Sequence, residues 1–288
     1  MVYDVIIVGN GPAGISAALY AKRGGLSVLI ISKDNSNLLK AEQIGNYYGF
    51  ENPIPGKELY NKGINQAKNL GIEIVEDEVV SINFNKDFEV IATNNTYFSK
   101  TVILATGSSR KKPNIKGIKE FEGKGVSYCA ICDAFFYRNK NVAVIGNGNY
   151  AIHEIMQLKP VVNSVVMLTD GERPIENRSI PIEIEEKKIK EVRGTNKVEE
   201  LEFEDSSKKK IDGLFIAIGT ASSDDLARKI GALVENNKIV VNDKMQTTVP
   251  GLFACGDCTG GLLQISKAVH EGTVAGLETI KYIKKKGE

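Results

Sequence analysis

The chain has 288 residues, 42% of them apolar, and its 37 basic side chains nearly balance its 36 acidic ones. This length predicts about two domains with sizeable cores, and the composition excludes global disorder. A formal charge of +1 gives no bulk attraction to nucleic acid or to an anionic membrane. No apolar run reaches the ~18 residues of a membrane helix, and the first residues do not resemble a leader, so a cytoplasmic protein is expected.

A strand, a glycine-rich turn and a helix open the chain, in the order of a nucleotide-binding βαβ unit. Val2–Val8 is an almost continuous apolar run, which predicts a buried parallel strand. The turn is Gly9–Gly14, of sequence GNGPAG, and a helix of small residues follows until Gly24 and Gly25. The next strand is predicted at Ser27–Ile31.

The glycines of this turn have separate roles in dinucleotide binding. Gly9 permits the tight turn, Gly11 lets backbone N–H groups approach a pyrophosphate, and Gly14 allows the helix to pack closely on the sheet. The residue that binds the adenosine ribose lies about 20 residues further on, where Ser32 and Asp34 are both candidates. The residues themselves leave that choice open.

The same pattern recurs later in the chain. Asn141–Ile145 and Ser164–Leu168 predict strands on either side of a helix, which begins at the turn Gly146–Ala151, of sequence GNGNYA. Tyr150 is expected to place a ring where a pyrophosphate would bind. Asp170, after the second strand, disfavours a 2′-phosphate but suits a free 2′-OH, so NADH stays open. The alternative is a Rossmann-like unit that binds no nucleotide.

Two such units predict an α/β protein with two Rossmann-like domains of the three-layer ββα type, the second inserted into the first. The chain is expected to cross into the second domain near Pro113 and to return within Lys244–Pro250. The FAD/NAD(P)-type first domain is therefore predicted at 1–112 plus 248–288, and the second at 113–247.

The four cysteines form two C-x-x-C pairs, Cys129 with Cys132 and Cys255 with Cys258. Such a pair at the start of a helix gives a reactive thiolate, and Asp133 beside the first pair suits proton transfer during thiol–disulfide exchange. Zinc or Fe–S binding by all four is the alternative. No metal is expected, because the second pair brackets a Gly-Asp segment typical of a cofactor loop. Cys255 is expected to be a small buried residue and Cys258 a loop thiol.

Together these motifs resemble the low-molecular-weight thioredoxin reductases, a family of flavoprotein disulfide reductases, over nearly the whole chain. The resemblance implies a homodimer with FAD in the first domain and the redox dithiol in the second. Cys132 would face the flavin, Cys129 would attack the thioredoxin disulfide, and Asp133 would donate the proton. The residues implied to bind FAD are Gly9, Gly11, Pro12, Ala13, Gly14, Ser32, Asp34, Asn37, Asn46, Val79, Ala105, Thr106, Gly107, Gly256, Asp257, Gln264 and Ile265.

The second domain departs from the family pattern. The family's NADPH turn, G-G-G-D-S-A, is replaced by Gly146–Ala151, and its H-R-R segment, which clamps the 2′-phosphate, is replaced by Leu168–Arg173, of sequence LTDGER. A chain that lacks only these nucleotide-binding motifs resembles the ferredoxin-dependent flavin thioredoxin reductases. We therefore expect reduced ferredoxin, not NADPH, to supply the electrons. The basic residues expected to dock an acidic ferredoxin are Arg110, Lys111, Lys112 and the run Lys284–Lys286.

Three other functions are compatible with the sequence. One is a thioredoxin reductase that uses NADH or NADPH through an unusual site. Another is a ferredoxin–pyridine nucleotide oxidoreductase, which shares the double Rossmann plan but needs no dithiol. The third is a non-enzymatic FAD-binding sensor whose cysteines only register oxidation.

Overall fold

The computed structural model describes residues 1–33, 36–107, 113–174 and 182–287. The chain forms two compact units, one made of Met1–Arg110 and Ser222–Glu288 and the other of Lys111–Ala221. Each unit carries a sheet of mostly parallel strands flanked by helices, so the α/β class with Rossmann-like units is confirmed.

The first unit begins with the predicted βαβ arrangement. Its elements up to residue 104 are the strands β1 (Val2–Val8), β2 (Val28–Ser32), β3 (Glu73–Glu76), β4 (Val79–Phe84), β5 (Phe88–Ala92) and β6 (Thr96–Leu104), and the helices α1 (Pro12–Arg23) and α2 (Gly56–Asn69). β1 pairs in parallel with β2 on one side and with β6 on the other. The carboxyl ends of these three strands therefore meet at one edge of the sheet, where open α/β sheets bind their ligands.

The second unit carries the second βαβ unit as predicted. Its elements are the strands β7 (Val126–Ser127), β8 (Asn141–Ile145), β9 (Ser164–Leu168), β10 (Glu183–Glu185), β11 (Ile189–Arg193), β12 (Glu200–Phe203), β13 (Lys208–Lys210) and β14 (Gly213–Ile216), and the helices α3 (Ala130–Asp133) and α4 (Asn149–Leu158). A parallel sheet has the order β10-β9-β8-β14-β7, and β11, β12 and β13 form a separate antiparallel sheet.

The chain then completes the first unit. The remaining elements are α5 (Ser223–Lys229), the hairpin strands β15 (Val234–Glu235) and β16 (Lys238–Ile239), the strand β17 (Leu252–Ala254), and α6 (Ile265–Gly287). β17 pairs in parallel with β6, and α6 packs along α1. Two glycines allow this close packing: a Cβ at Gly272 would lie 2.2 Å from Ala13 O, and one at Gly276 would lie 2.6 Å from Ala17 O.

The return to the first unit falls at Ser222, earlier than the expected boundary between residues 247 and 248. The reason is the packing of α5 against β4, where Lys229 Nζ donates to Val80 O at 3.1 Å. The sequence pattern indicated a return only at Lys244–Pro250, after α5. Among the described residues, no helix combines the length and the apolar character needed to cross a membrane.

Candidate active site

The glycine-rich turn lies between β1 and α1. A Cβ at Gly9, whose φ is +113°, would lie 2.3 Å from Ala105 O, and one at Gly14 would lie 1.9 Å from Gly9 O. The protein's own packing therefore requires both glycines. Among the described residues, a Cβ at Gly11 would meet only Ser36 Oγ, at 3.7 Å. The space left at Gly11 fits a ligand that approaches the backbone.

The N-terminus of α1 is open to an anion. Gly11 is the N-cap residue, no side chain caps the helix, Pro12 occupies its first position, and its first turn has no acidic residue. The free N–H groups and the positive end of the helix dipole attract a phosphate at such a point. The turn and the helix therefore fit the pyrophosphate of a dinucleotide such as FAD.

Two other predicted cofactor segments reach this turn. A Cβ at Gly256, whose φ is +84°, would lie 2.9 Å from Ala13 Cβ, so the Gly256-Asp257 loop touches the start of α1. A Cβ at Gly107 would lie 4.0 Å from Asn37 Nδ2, which places the Asn37–Lys40 3₁₀ helix beside the end of β6. Segments far apart in sequence thus meet at one edge of the sheet.

Asn46 and Gln264 also meet. Asn46 Nδ2 donates to Gln264 Oε1 at 3.0 Å, and both residues are exposed. Ile265 follows Gln264 as the half-buried first residue of α6. The loop that contains Asn46 is therefore held to the start of α6, as residues on two sides of one cofactor would be.

Ser32 and Val79 lie at the far end of the same edge. Ser32 ends β2 beside Glu76 of β3, and its carbonyl oxygen accepts from Asp77 N at 3.3 Å. Val79 begins β4 two residues later and is buried. This is where a Rossmann unit places the adenosine half of its ligand. Asp34, the other ribose candidate, lies outside the described residues.

Two residues of α6 that the sequence analysis did not identify hold the Gly256-Asp257 loop. Glu271 Oε2 accepts from Gly256 N at 2.8 Å and from Thr259 Oγ1 at 2.9 Å. Lys267 Nζ donates to Gly256 O at 2.9 Å and lies 3.0 Å from Glu271 Oε2. The four-residue spacing puts Lys267 and Glu271 on one helix face. Such pairs are common on helix surfaces, so the spacing alone did not indicate a role.

Thr106, between Ala105 and Gly107, is fixed by the first turn of α5. Its Oγ1 lies 2.7 Å from Ser223 Oγ and accepts from Ser223 N at 3.0 Å. Thr106 N donates to Ser223 Oγ at 3.2 Å. Ser223 therefore orients the segment that ends β6, a role that the sequence did not indicate.

In the second unit, Cys129 and Cys132 form a disulfide at the start of α3. Cys129 is the N-cap residue, and its Sγ accepts from Cys132 N at 3.2 Å. A donor directed at this sulfur favours the thiolate once the disulfide is reduced. Cys129 is 5% exposed, whereas Cys132 is exposed. The attack by Cys129 that the resemblance implies therefore requires Cys129 to become accessible.

Asp133 is linked to the disulfide through Ser127, which the sequence analysis did not identify. Ser127 Oγ donates to Asp133 Oδ2 at 2.6 Å and accepts from Cys129 N at 3.1 Å. Ser127 thus holds the carboxylate of Asp133 to the backbone of Cys129. Burial raises the pKa of the Tyr137 hydroxyl, and the charge of Asp133 raises it further.

The second C-x-x-C pair lies in the first unit and is buried. Cys255 and Cys258 are free thiols, and Cys258 Sγ donates to Cys255 O at 3.3 Å. Burial raises the pKa of Cys258 to about 12 and holds that of Cys255 well above its usual value. Cys258 is thus a buried thiol and not the loop thiol that was expected. The described residues contain no group of three or more His, Cys, Asp or Glu side chains placed to hold a metal ion.

Side chains in and near the second glycine-rich turn are bound by the protein itself. Asp170 adopts a φ of +53°, and its Oδ1 accepts from Ile189 N at 2.7 Å, so the proposed ribose ligand is bound to the backbone of β11. Asn147 Nδ2 donates to Arg173 O at 3.2 Å, which ties the turn to the segment after β9. Tyr150, which was expected to place a ring where a pyrophosphate would bind, is 2% exposed, so its side chain is packed inside the unit.

Comparison with known proteins agrees with this geometry. Residues 3–272 match the family model described as pyridine nucleotide-disulphide oxidoreductase. Thioredoxin reductase of Ureaplasma parvum is 36% identical, over 98% of this chain and 97% of the relative. Thioredoxin reductase of Bacillus subtilis is 34% identical, over 98% of this chain and 95% of the relative.

Two solved structures have the same fold over nearly the full length. The atypical thioredoxin reductase TRi from Desulfovibrio vulgaris is 36% identical, with a TM-score of 0.92 over 98% of both chains. A ferredoxin-flavin thioredoxin reductase from Clostridium acetobutylicum is 34% identical, with a TM-score of 0.72 over 98% of both chains.

The chain therefore belongs to the thioredoxin reductase family of the pyridine nucleotide-disulphide oxidoreductases. This makes it an oxidoreductase with thioredoxin as the partner of its family, and it implies FAD as the cofactor. The open N-terminus of α1 and the space at Gly11 fit that cofactor.

Proposed function

We propose that this thioredoxin reductase takes its electrons from reduced ferredoxin and does not use NADPH. The observation that carries the proposal is the hydrogen bond from Ile189 N to Asp170 Oδ1, at 2.7 Å. An NADPH site needs positive charge after the second strand of its βαβ unit, because the 2′-phosphate is held there by arginine. This chain has a carboxylate at that point, and the carboxylate is engaged by the protein backbone. The Clostridium acetobutylicum relative, described as a ferredoxin-flavin enzyme, supports the same reading.

Each group in the proposed reaction has a place in the chain. Bound FAD supplies a carrier that accepts single electrons and delivers them in pairs. The turn with Gly11 would hold its pyrophosphate, and Asn46 with Gln264 would hold its flavin end. The Cys129–Cys132 disulfide would take up two electrons and two protons, and the resulting dithiol would reduce the disulfide of thioredoxin. Asp133, held by Ser127, would move the proton.

An exposed apolar patch beside the disulfide supports docking of a protein substrate. Ile131 is 50% exposed, Phe135 72% and Phe136 67%, and the Arg138 guanidinium lies 5.6 Å from the centre of the Phe135 ring. Exposed aromatic side chains with a neighbouring arginine are typical of binding hot spots. We expect Phe135→Ala to raise the KM for thioredoxin about tenfold, the loss of about 1.4 kcal/mol of binding.

The matched control for that variant is Phe84→Ala. Phe84 is also exposed, at 46%, but it lies on β4 of the other unit. Its replacement should leave the KM unchanged. Equal effects of the two variants would show that the patch is not the thioredoxin surface.

The length of α6 helps to decide which basic residues could dock ferredoxin. This helix begins at Ile265, beside Gln264, and at 1.5 Å per residue its 23 residues place the run Lys284–Lys286 about 30 Å away. That run therefore lies far from the contact between Asn46 and Gln264, which makes it a weaker candidate than basic residues beside that contact. Lys40 is a better candidate, since it is exposed and its Nζ donates to Asn37 Oδ1 at 3.3 Å. The other basic candidates, Arg110, Lys111 and Lys112, lie outside the described residues.

The test is anaerobic mixing of the FAD-loaded protein and thioredoxin with NADPH, NADH and reduced ferredoxin in turn. We expect ferredoxin alone to bleach the flavin absorbance within the time of turnover. The rate of bleaching by ferredoxin should fall as salt is added, because docking to an acidic partner is electrostatic. Lys40→Glu should slow bleaching by ferredoxin, and Lys284→Glu, with the same change of charge, should not. Rapid bleaching by NADPH would refute the proposal, and rapid bleaching by NADH alone would favour an NADH enzyme.

A homodimer in the cytoplasm is part of the same proposal. A cavity of about 390 Å³ between α1, α2 and α6 has a mostly apolar lining, which extends from Gly11 and Pro12 at the cofactor turn to Tyr20, which is 42% exposed. An exposed apolar cavity of this kind supports a dimer in which a second copy of the chain covers this face. Light scattering of the wild type and of Tyr20→Glu tests it: a dimer that the substitution weakens is expected, and a wild-type monomer would contradict it.

A further inference from the structure

A buried carboxylate contacts the loop between the two redox cysteines. Glu154 Oε2 accepts from Ala130 N at 2.8 Å, and Ala130 is the residue directly after Cys129. Glu154 is 2% exposed. It is the one carboxylate on the inward face of α4, whose buried residues are Tyr150, Ala151, Glu154, Ile155 and Leu158.

A carboxylate at this position can do more than accept the hydrogen bond. A buried carboxylate is far more costly to desolvate than a neutral acceptor, and a glutamine could accept the same bond from Ala130 N. The position of Glu154 suggests what the charge does, because its partner is the amide that follows Cys129. A negative charge beside a thiol disfavours the thiolate. A dithiol whose thiolate is stabilised forms a more oxidising couple, so a charge that opposes the thiolate keeps the couple reducing.

We propose that Glu154 is a positioning residue that holds the Cys129–Cys132 loop through Ala130 N and keeps its disulfide reducing. The inference rests on the proposed redox role of that disulfide, but not on the identity of the electron donor. Reduction breaks the S–S bond with two electrons and two protons and yields two thiols, which then ionise to the extent that their surroundings allow. Two molecules of glutathione can supply them, and these become one glutathione disulfide.

The test measures this equilibrium in the full-length protein at pH 7. Wild type and Glu154→Gln are equilibrated with glutathione buffers, and the reduced fraction of Cys129 and Cys132 is counted by alkylation and mass spectrometry. The glutamine keeps an acceptor for Ala130 N and removes the charge. We expect the equilibrium to move about tenfold toward the dithiol, which corresponds to about 30 mV for a two-electron couple.

A second variant removes the donor and keeps the charge. Ala130→Pro deletes the N–H and adds two ring carbons at a fully buried position, and proline suits the first position of a helix. Cys129 has φ −143° and ψ 104°, the extended conformation that a following proline requires. Because the carboxylate then loses the dipole that partly offsets its charge, the equilibrium should move the other way, toward the disulfide.

Glu202→Gln is the matched control. Glu202, on β12, is 6% exposed and forms ion pairs with Lys190 and Arg193 of β11. Its replacement therefore also removes a buried charge from the second unit. It should change stability but not the glutathione equilibrium.

The outcomes separate this inference from the proposed function. A glutathione equilibrium of Glu154→Gln within twofold of wild type would overturn the inference. So would a shift of Ala130→Pro toward the dithiol, and that variant decides alone if Glu154→Gln does not fold. Failure of ferredoxin as the donor would leave the inference standing. A wild-type disulfide that neither glutathione nor dithiothreitol reduces would overturn both.

Discussion

Asn46 and Gln264 lie 218 residues apart in the chain, yet Asn46 Nδ2 donates to Gln264 Oε1 at 3.0 Å. The contact joins a loop near the start of the first unit to the residue just before its last helix. A hydrogen bond of this kind contributes about 0.5–1.5 kcal/mol net. If both residues contact the flavin, as proposed, the bond would organise the cofactor site before the cofactor binds.

A first prediction concerns this pair. Asn46→Ala and Gln264→Ala should each weaken FAD binding about fivefold, the equivalent of about 1 kcal/mol. The double variant should be scarcely weaker than either single one, since the two side chains act as one contact. Fluorescence titration of the FAD-free protein measures the affinities. Asn83→Ala is the control, because Asn83 Nδ2 makes an exposed 3.0 Å bond to Glu89 Oε2 elsewhere in the same unit. Additive losses would contradict the prediction.

The second prediction separates two glycines of the same turn. Gly11→Ala should fold with little change in the melting temperature of the FAD-free protein, because its Cβ meets only Ser36 Oγ at 3.7 Å among the described residues. It should nevertheless lose FAD, since the methyl group occupies the pyrophosphate space. Gly14→Ala should reduce the yield of folded protein, because its Cβ would lie 1.9 Å from Gly9 O. Thermal melts with and without FAD make the measurement. Normal FAD retention by Gly11→Ala would be the contrary result.

Local patterns were enough to predict the two βαβ units. Val2–Val8 and Asn141–Ile145 are strands with the predicted bounds, because apolar runs and glycine turns are signals of neighbouring residues. Contacts such as those of Ser127 with Asp133 depend on how a turn places two side chains, which no spacing rule describes. The burial of Cys258 depends on the packing around it, and the sequence showed only its polar and glycine neighbours.

The third prediction tests the role of Asp170. Asp170→Gly suits the φ of +53° but removes the acceptor for Ile189 N, so the free energy of unfolding should fall by about 1–3 kcal/mol. Asp170→Asn keeps an acceptor and should stay within about 0.5 kcal/mol of wild type. Neither should gain flavin reduction by NADPH, because no arginine pair is created. Urea melts and anaerobic absorbance provide the two readouts, with Glu172→Ala as a neighbouring exposed control. NADPH reduction by Asp170→Asn would show that repulsion alone excluded the nucleotide.

The fourth prediction is a loss of stability in alkali. Burial raises the pKa of Cys258 to about 12 in the folded protein, from an ordinary value of 9.0. Between about pH 9 and 12 the unfolded chain loses this proton while the folded protein keeps it. The free energy of unfolding is therefore unaffected below about pH 9 and falls as the pH rises toward 12. The slope is about 1.4 kcal/mol per pH unit for each thiol.

Urea melts at about pH 7, 9 and 9.8, on both sides of the ordinary thiol pKa, measure this slope. These pH values lie below the range in which Tyr3, whose pKa is also raised to about 12, contributes. Cys258→Ala should show a smaller slope than wild type. Any cavity it leaves affects all pH values equally and cancels from the comparison. An unchanged slope would mean that Cys258 is not protected when the protein is folded.

The contact between Thr106 and Ser223 has a consequence for the history of the chain. Thr106 lies just before the polypeptide leaves the first unit, and Ser223 lies just after it returns, yet their hydroxyl oxygens are 2.7 Å apart. The two ends of the second unit therefore meet in the first unit, which we call the host, as the two ends of a long surface loop do. A short glycine bridge in its place should leave a host that folds alone and still binds FAD. An ancestral flavin-binding protein could thus have acquired its dithiol module in a single step, without rearranging any strand of its sheet.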